Sequence, residues 1–161
     1  MKTTKLKKVL IALDYDPTAK KVAELGFLFA KSMNAKIVLL HIIADSTYYS
    51  AIEYTPIVGS LGISETEVSE FTTSGGLKKA TKHYLDKMKD LLEDSSIETI
   101  VKEGDFADTI LAVAKSEHAD AIVMGSHSRR WFDEILMGSV TEKVLQGSSI
   151  PLFIIPIKKH D

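Results

Sequence analysis

The sequence predicts an α/β fold: an open, mostly parallel sheet with helices on both faces. Three observations carry that expectation. Short β-branched apolar runs recur along the chain, amphipathic helical patterns lie between them, and the two alternate to the end. Runs that are apolar at nearly every position suit strands buried on both faces, as in a parallel sheet. Strands alternating with helical segments indicate βα units joined by right-handed crossovers. The chain has 161 residues, which at roughly 150 residues per domain makes a single domain.

The first strand is Val9–Leu13, closing on Asp14. Asp16 followed by Pro17 is a helix-start signal: a capping carboxylate, then a proline where its missing N–H does no harm. Val22, Leu25, Phe29 and Met33 then fall on one face, and Asn34 is the stop. Ile37–Ile43 is the second strand, interrupted by His41, which reads as a satisfied buried or end-of-strand imidazole rather than a catalytic one. The connection 44–76 is rich in Ser, Thr and Tyr and carries Pro56, Gly59, Gly62 and Gly75-Gly76, with Ser64–Phe71 a short helical candidate. A connection that long is a mobile loop or a lid over a ligand.

The second helix places Thr81, Tyr84, Leu85, Met88, Leu91 and Leu92 on one face. A weaker strand, Ile97–Lys102, alternates Ile97, Thr99 and Val101 with Glu98, Ile100 and Lys102. The third helix carries Phe106, Ala107, Ile110, Leu111 and Ala114, capped by Asp105. Ala121–Met124 is the next strand. The fourth helix begins at Gly138-Ser139 and runs through Val140, Val144 and Leu145 to Gly147. Pro151 bars its continuation and precedes the last strand, Leu152–Ile157. In such sheets ligands sit beyond the carboxyl ends of the strands, at the point where strand order reverses.

Composition removes several function classes. Lys+Arg is 20 and Asp+Glu is 22, a net charge of −2, so there is no polyanion-binding balance and nucleic acid is not an expected partner. No cysteine is present, which excludes disulfides, thiolate metal sites and thiol nucleophiles and fits a reducing compartment. The basic start Lys2–Lys8 is followed by an apolar run of only five residues, too short for a signal peptide, and no stretch approaches a membrane span. These features predict a cytoplasmic protein. None of the nine glycines builds a Walker A loop, a G-x-G-x-x-G fingerprint or a G-x-S-x-G elbow. The histidines at 41, 83, 118, 127 and 160 form no spaced ligand set, and His83 and His118 read as helix-surface residues. A phosphoreceiver domain is a rival α/β reading, since Asp14 and Asp16 follow the first strand. It needs a phosphoacceptor Asp ending the third run, which here ends Val101-Lys102-Glu103, and it leaves only Lys158 as a match.

The informative stretch is Met124–Thr141. A strand ends, Gly125 opens a turn, and Gly138 precedes a helix beginning Ser139, Val140, Thr141. Glycine admits close approach to the backbone and permits positive φ. A helix N-terminus offers unpaired N–H groups and about half a positive charge, so it attracts phosphate. Ser139 and Thr141 add hydroxyls. The alternative is a plainly capped helix, in which Ser139 and Glu142 form a capping box.

Here the sequence resembles the universal stress protein family, whose nucleotide-binding members carry G-x2-G-x9-G-[S/T]. Gly125, two residues, Ser128, nine residues and Gly138-Ser139 reproduce that spacing. Leu10–Asp14, Val38–Ile43, Gly104-Asp105 and Pro151–Ile155 are similar to the family's first strand, second strand, third-helix turn and closing strand. The resemblance implies a five-stranded Rossmann-like, adenine nucleotide alpha hydrolase-like sheet of order 3-2-1-4-5. It implies that Ala12, Leu13 and Asp14 lie at the nucleoside end of an ATP, ADP or AMP site, with the backbone around Ile42 at the adenine edge. Met124 and Gly125 would line the ribose, and Ser128, Gly138, Ser139, Val140 and Thr141 would hold the phosphates. Mg or Mn would ride on the phosphates. It further implies a homodimer through Leu152–Ile157, an apolar edge that pairing would cover, and a role in stress or signalling.

The second motif glycine is replaced by Ser128. If that position needs positive φ, the replacement costs roughly 1–2 kcal/mol, or about 5- to 30-fold in affinity. A charged-acceptor hydrogen bond from the hydroxyl offsets up to roughly 1.5–3 kcal/mol. Arg129 or Arg130 reaches a phosphate or lies in a solvated turn, and Trp131 and Phe132 read as packing anchors. No general base or arginine finger is evident for the γ-phosphate, so hydrolysis is expected to be slow at most. A dimeric interaction protein of the same fold that has lost nucleotide binding is the alternative.

Overall fold

The computed structural model describes residues 5–14, 18–43, 74–126 and 137–157. The elements run β1 (Lys8–Ala12), α1 (Ala19–Ser32), β2 (Lys36–Ile43), α2 (Ser74–Leu91), β3 (Glu98–Glu103), α3 (Phe106–Ser116), β4 (Ala121–Gly125), α4 (Ser139–Gly147) and β5 (Leu152–Ile155). All strand pairs are parallel, in the order β3-β2-β1-β4-β5. The order reverses between β1 and β4, and in sheets of this kind ligands sit beyond the carboxyl ends of the strands at such a reversal. It differs from the 2-1-3-4-5 order of receiver-type sheets, so that rival reading fails on topology. Helix α1 begins at Ala19 with Thr18 as its N-cap, two residues after the expected Asp16-Pro17 start, and Gly75-Gly76, expected in the connection, belong to the first turn of α2. Asp16 and Pro17 themselves, residues 44–73 of the long connection, the motif residues 127–136, Lys158 and His160 lie outside the described residues.

Alternate strand residues feed two apolar layers. Val9, Ile11, Leu13, Ile37, Leu39 and Val123 pack against α1 and α2, whereas Leu10, Val38, Leu40, Ile42, Ile122 and Met124 pack against α3 and α4. The central runs are apolar throughout because both faces are covered. β5 is shorter than expected, ending at Ile155 before Pro156, which has no N–H for the ladder.

Helix α1 corrects one expectation. Leu25 is 39% exposed, and the buried stripe is Ala19, Val22, Ala23, Gly26 and Ala30. The helix lies so near the central strands that a Cβ on Gly26 would sit 2.9 Å from Ile11 Cδ1 and 3.0 Å from Val123 Cγ1. Only small side chains fit that separation, so Phe29 and Met33 pack at the margin. Likewise Leu91, expected on the core face of α2, is 55% exposed, and Leu77 and Leu92 are buried with Thr81, Tyr84, Leu85 and Met88. The helix ends at Leu91, and the turn beyond it carries Leu92 back to the core.

Helix ends follow local chemistry. Asn34 takes φ 55°, and Asn34 N–H and Ala35 N–H donate to the Lys31 and Ala30 carbonyls at 3.0 and 2.9 Å. His118 does the same past α3, with φ 54° and Ala119 N–H on Ala114 O at 2.9 Å, so it is a helix terminator rather than a residue of the helix surface. Asp105 caps α3 as expected, accepting from Asp108 N–H at 3.0 Å. Just before it, Gly104 adopts φ +143°, and a Cβ there would lie 2.8 Å from Thr109 Oγ1. Gly104→Ala is therefore expected to cost about 1–3 kcal/mol, read as a lower urea midpoint with unchanged slope. Lys31 pairs with Asp94, tying the end of α1 to the turn after α2. The Lys31 ammonium, with Ser96 also donating, holds the Asp94 carboxyl down to about 2. Among the described residues no helix is long and apolar enough to cross a membrane.

Candidate functional site

Four chain segments meet at the carboxyl edge of the sheet. β1 delivers Ala12, Leu13 and Asp14, and the pairing sets Ala12 level with Leu40 of β2 and Ile11 level with Val123 of β4. Ile42 follows on β2, and Met124 and Gly125 end β4. The start of α4 is bound to this edge. Gly138 N–H donates to Ser126 O at 3.1 Å, and the Thr141 hydroxyl donates to Gly125 O at 3.0 Å. Ser126 is anchored in turn: its N–H donates to Ile155 O at 2.9 Å, and its hydroxyl accepts from Ile157 N–H at 3.0 Å. The end of β4, the end of β5 and the first turn of α4 are thus locked together.

The N-cap of α4 is Gly138, with no side-chain cap. Ser139 lies inside the helix, so the Ser139–Glu142 capping box expected as the alternative does not form. The first helical bond is Glu142 N–H to Gly138 O at 2.9 Å. The N–H groups of Ser139, Val140 and Thr141 have no carbonyl a turn earlier within the helix to bond. They carry the positive end of the helix dipole, which favours an anion.

Two details of the sequence reading change. Gly138 has φ −61° and ψ 153°, a conformation open to any residue, and of the described glycines only Gly104 has positive φ. The backbone angle at 138 therefore does not require glycine. At Gly125 the constraint is packing, because a Cβ there would lie 3.2 Å from both Val22 Cγ2 and Ile157 Cγ1. Thr141 is only 2% exposed and its hydroxyl hydrogen is committed to Gly125 O, so it offers an incoming anion its backbone N–H alone. Ser139 is exposed. Ser128, Arg129, Arg130, Trp131 and Phe132 lie outside the described residues.

Three residues not singled out for the site contribute to its frame. Ser126 holds both ends of the motif, and its position directly after Gly125 was the only signal for it. His41 Nδ1 lies 2.7 Å from Leu13 O, and the Tyr84 hydroxyl donates to Asp14 O at 2.9 Å. His41 is 3% exposed, which agrees with the buried, hydrogen-bonded reading of its imidazole. Among the described residues no group of three or more His, Asp or Glu is placed to hold a metal.

The parallel sheet of order β3-β2-β1-β4-β5 with helices on both faces defines an open, Rossmann-like α/β protein. The universal stress protein family model matches residues 5–156, and the chain belongs to that family. It is 29% identical over 156 residues to universal stress protein MJ0577 of Methanocaldococcus jannaschii, covering 94% of this chain and 96% of that one. It is 27% identical to universal stress protein YxiE of Bacillus subtilis, covering 92% and 97%. Among solved structures, MJ0577 superposes with a TM-score of 0.70 at 26% identity, covering 97% and 99% of the two chains. A universal stress protein in complex with cAMP superposes with a TM-score of 0.60 at 17% identity, covering 94% and 98%, a likeness of fold.

Proposed function

We propose that this universal stress protein binds an adenine nucleotide, ATP or its ADP or AMP counterpart, in the crevice beyond β1 and β4, and acts in the cytoplasm as a dimeric stress or signalling regulator. The observation that carries the reading is the first turn of α4. It has no side-chain cap, and bonds from Gly138 to Ser126 and from Thr141 to Gly125 fix it at the carboxyl edge of β4. Phosphates would meet the Ser139, Val140 and Thr141 amides, with Ser128 and Arg129 as further donors. The nucleoside would lie toward Ala12, Leu13, Asp14 and Ile42, past Met124 and Gly125. Mg or Mn would be held by the phosphates. The cAMP complex of a structural neighbour supports an adenine ligand for this fold.

Thermal unfolding with and without ATP and Mg²⁺ tests the reading. Ligand at 100 times its Kd stabilises by about 2.7 kcal/mol, an upward shift of about 5–11 °C for a domain of this size. A midpoint unmoved at millimolar ATP favours the alternative, a same-fold interaction protein without nucleotide, for which the Ser128 replacement speaks.

The dimer is proposed through the last strand. β5 is the edge of the sheet, and Phe153 is 39% exposed although stacked on Phe29 with centroids 4.3 Å apart and planes 3° apart. Phe153→Asp is expected to give monomers by sedimentation velocity where the wild type sediments as dimers. Ile155 is buried in the α1 layer, so the same change there lowers stability instead. A monomeric wild type removes the dimer.

A further inference from the structure

We infer that His41 and Tyr84 are positioning residues for the nucleoside end of the site, fixing the course of the chain at Leu13 and Asp14 through the carbonyls of those residues. The inference rests on the nucleotide reading above. The regular strand β1 ends at Ala12, and Leu13 N–H still reaches Leu40 O at 2.9 Å. At this point side chains from two other elements take hold of the departing backbone. His41, on β2, sets Nδ1 2.7 Å from Leu13 O. Tyr84, on α2, donates its hydroxyl to Asp14 O at 2.9 Å from 70 residues away in sequence. The two rings meet edge to face, centroids 6.0 Å apart and planes at 76°, and both side chains are buried.

A carbonyl oxygen can only accept, so Nδ1 of His41 carries a hydrogen and neutral His41 is the Nδ1–H tautomer. The Tyr84 ring belongs to the core layer shared by α1 and α2, and its hydroxyl is the polar end of an otherwise apolar anchor. The course of the chain as it leaves β1 is therefore fixed by side chains of β2 and α2 in addition to the ladder bond from Leu13. Because the bonds fall on the chain just past β1 and not on the α4 turn, their loss is felt by the nucleoside half of a ligand and not by its phosphates.

Calorimetric titration of the full chain with adenosine and with ATP and Mg²⁺ tests this. Tyr84→Phe removes one oxygen and is expected to weaken both ligands by the same factor, about 3- to 10-fold, leaving the ratio of the two affinities unchanged. His41→Leu behaves alike, while His41→Asn, whose amide places a donor near the Nδ1 position, stays within about twofold of wild type. Imidazole ¹⁵N shifts are expected to show Nδ1 protonated in the neutral wild type, and protonation at Nε2 instead would overturn the assignment of the bond to Leu13 O. Should His41→Leu fail to fold, Tyr84→Phe decides the matter alone. Unchanged affinities in Tyr84→Phe overturn the inference, as does a loss larger for ATP than for adenosine, which marks a general loosening. A wild type that binds neither ligand defeats the nucleotide reading itself and this inference with it. That outcome is distinct from a binding wild type with an indifferent Tyr84→Phe.

Discussion

Gly138→Val is expected to remove ATP binding while leaving the fold in place. The backbone at Gly138 sits at φ −61° and ψ 153°, which valine adopts readily, and its N–H can still donate to Ser126 O. The sheet and α4 therefore survive, at the modest penalty of an apolar residue at an N-cap. What changes is the space beside the Ser139 and Val140 amides, where a branched side chain now stands. The expected loss for ATP is at least about 100-fold, near 3 kcal/mol at 1.4 kcal/mol per tenfold. Adenosine, which has no phosphates to place there, keeps its weaker affinity. Titration of both ligands against both proteins reads the difference directly. ATP affinity unchanged in the variant would move the phosphates away from α4 altogether.

The largest effect on stability is expected from Gly26→Leu. A single added carbon at this residue already meets Ile11 Cδ1 at 2.9 Å and Val123 Cγ1 at 3.0 Å, on the two central strands. Interiors are packed near crystal density, so a whole isobutyl group has nowhere to go without lifting α1. Overpacking of this kind costs about 3 kcal/mol, a fall in Tm of about 6–12 °C. Gly26→Ala sets the scale. Its clash falls partly on the flexible tip of Ile11, and the gain in helix propensity of about 1 kcal/mol offsets it, so the net change stays within about 1 kcal/mol. Equal destabilisation by both variants, or by neither, would contradict the close approach of α1.

Legibility in the sequence follows the strength of each physical signal. The central strands were plain because Val9–Leu13, Ile37–Ile43 and Ala121–Met124 are covered on both faces and so are apolar at nearly every step. Asn34 and Asp105 were readable because their work is local to the chain. The face of α1 was not, because alanine and glycine carry little hydrophobic signal and their burial reflects how near the helix lies to the sheet. Leu25, the larger residue, drew the pattern to the wrong side. At the site, the spacing from Gly125 to Gly138 was legible, but the use made of Thr141 was not. Its hydroxyl serves the end of β4, a contact fixed by tertiary geometry. The His41 and Tyr84 bonds were invisible for the same reason, since nothing near either residue in sequence points to Leu13 or Asp14.

The bond from Gly138 to Ser126 has a bearing on how this molecule can change over generations. It joins the two ends of the intervening stretch on the rigid frame, so the distance that stretch must span is already set. With both ends held, the entropic cost of closing a connection grows slowly with its length, by about 0.6 kcal/mol per doubling. Insertions and replacements between those anchors are accordingly expected to leave the stability of the scaffold nearly unchanged.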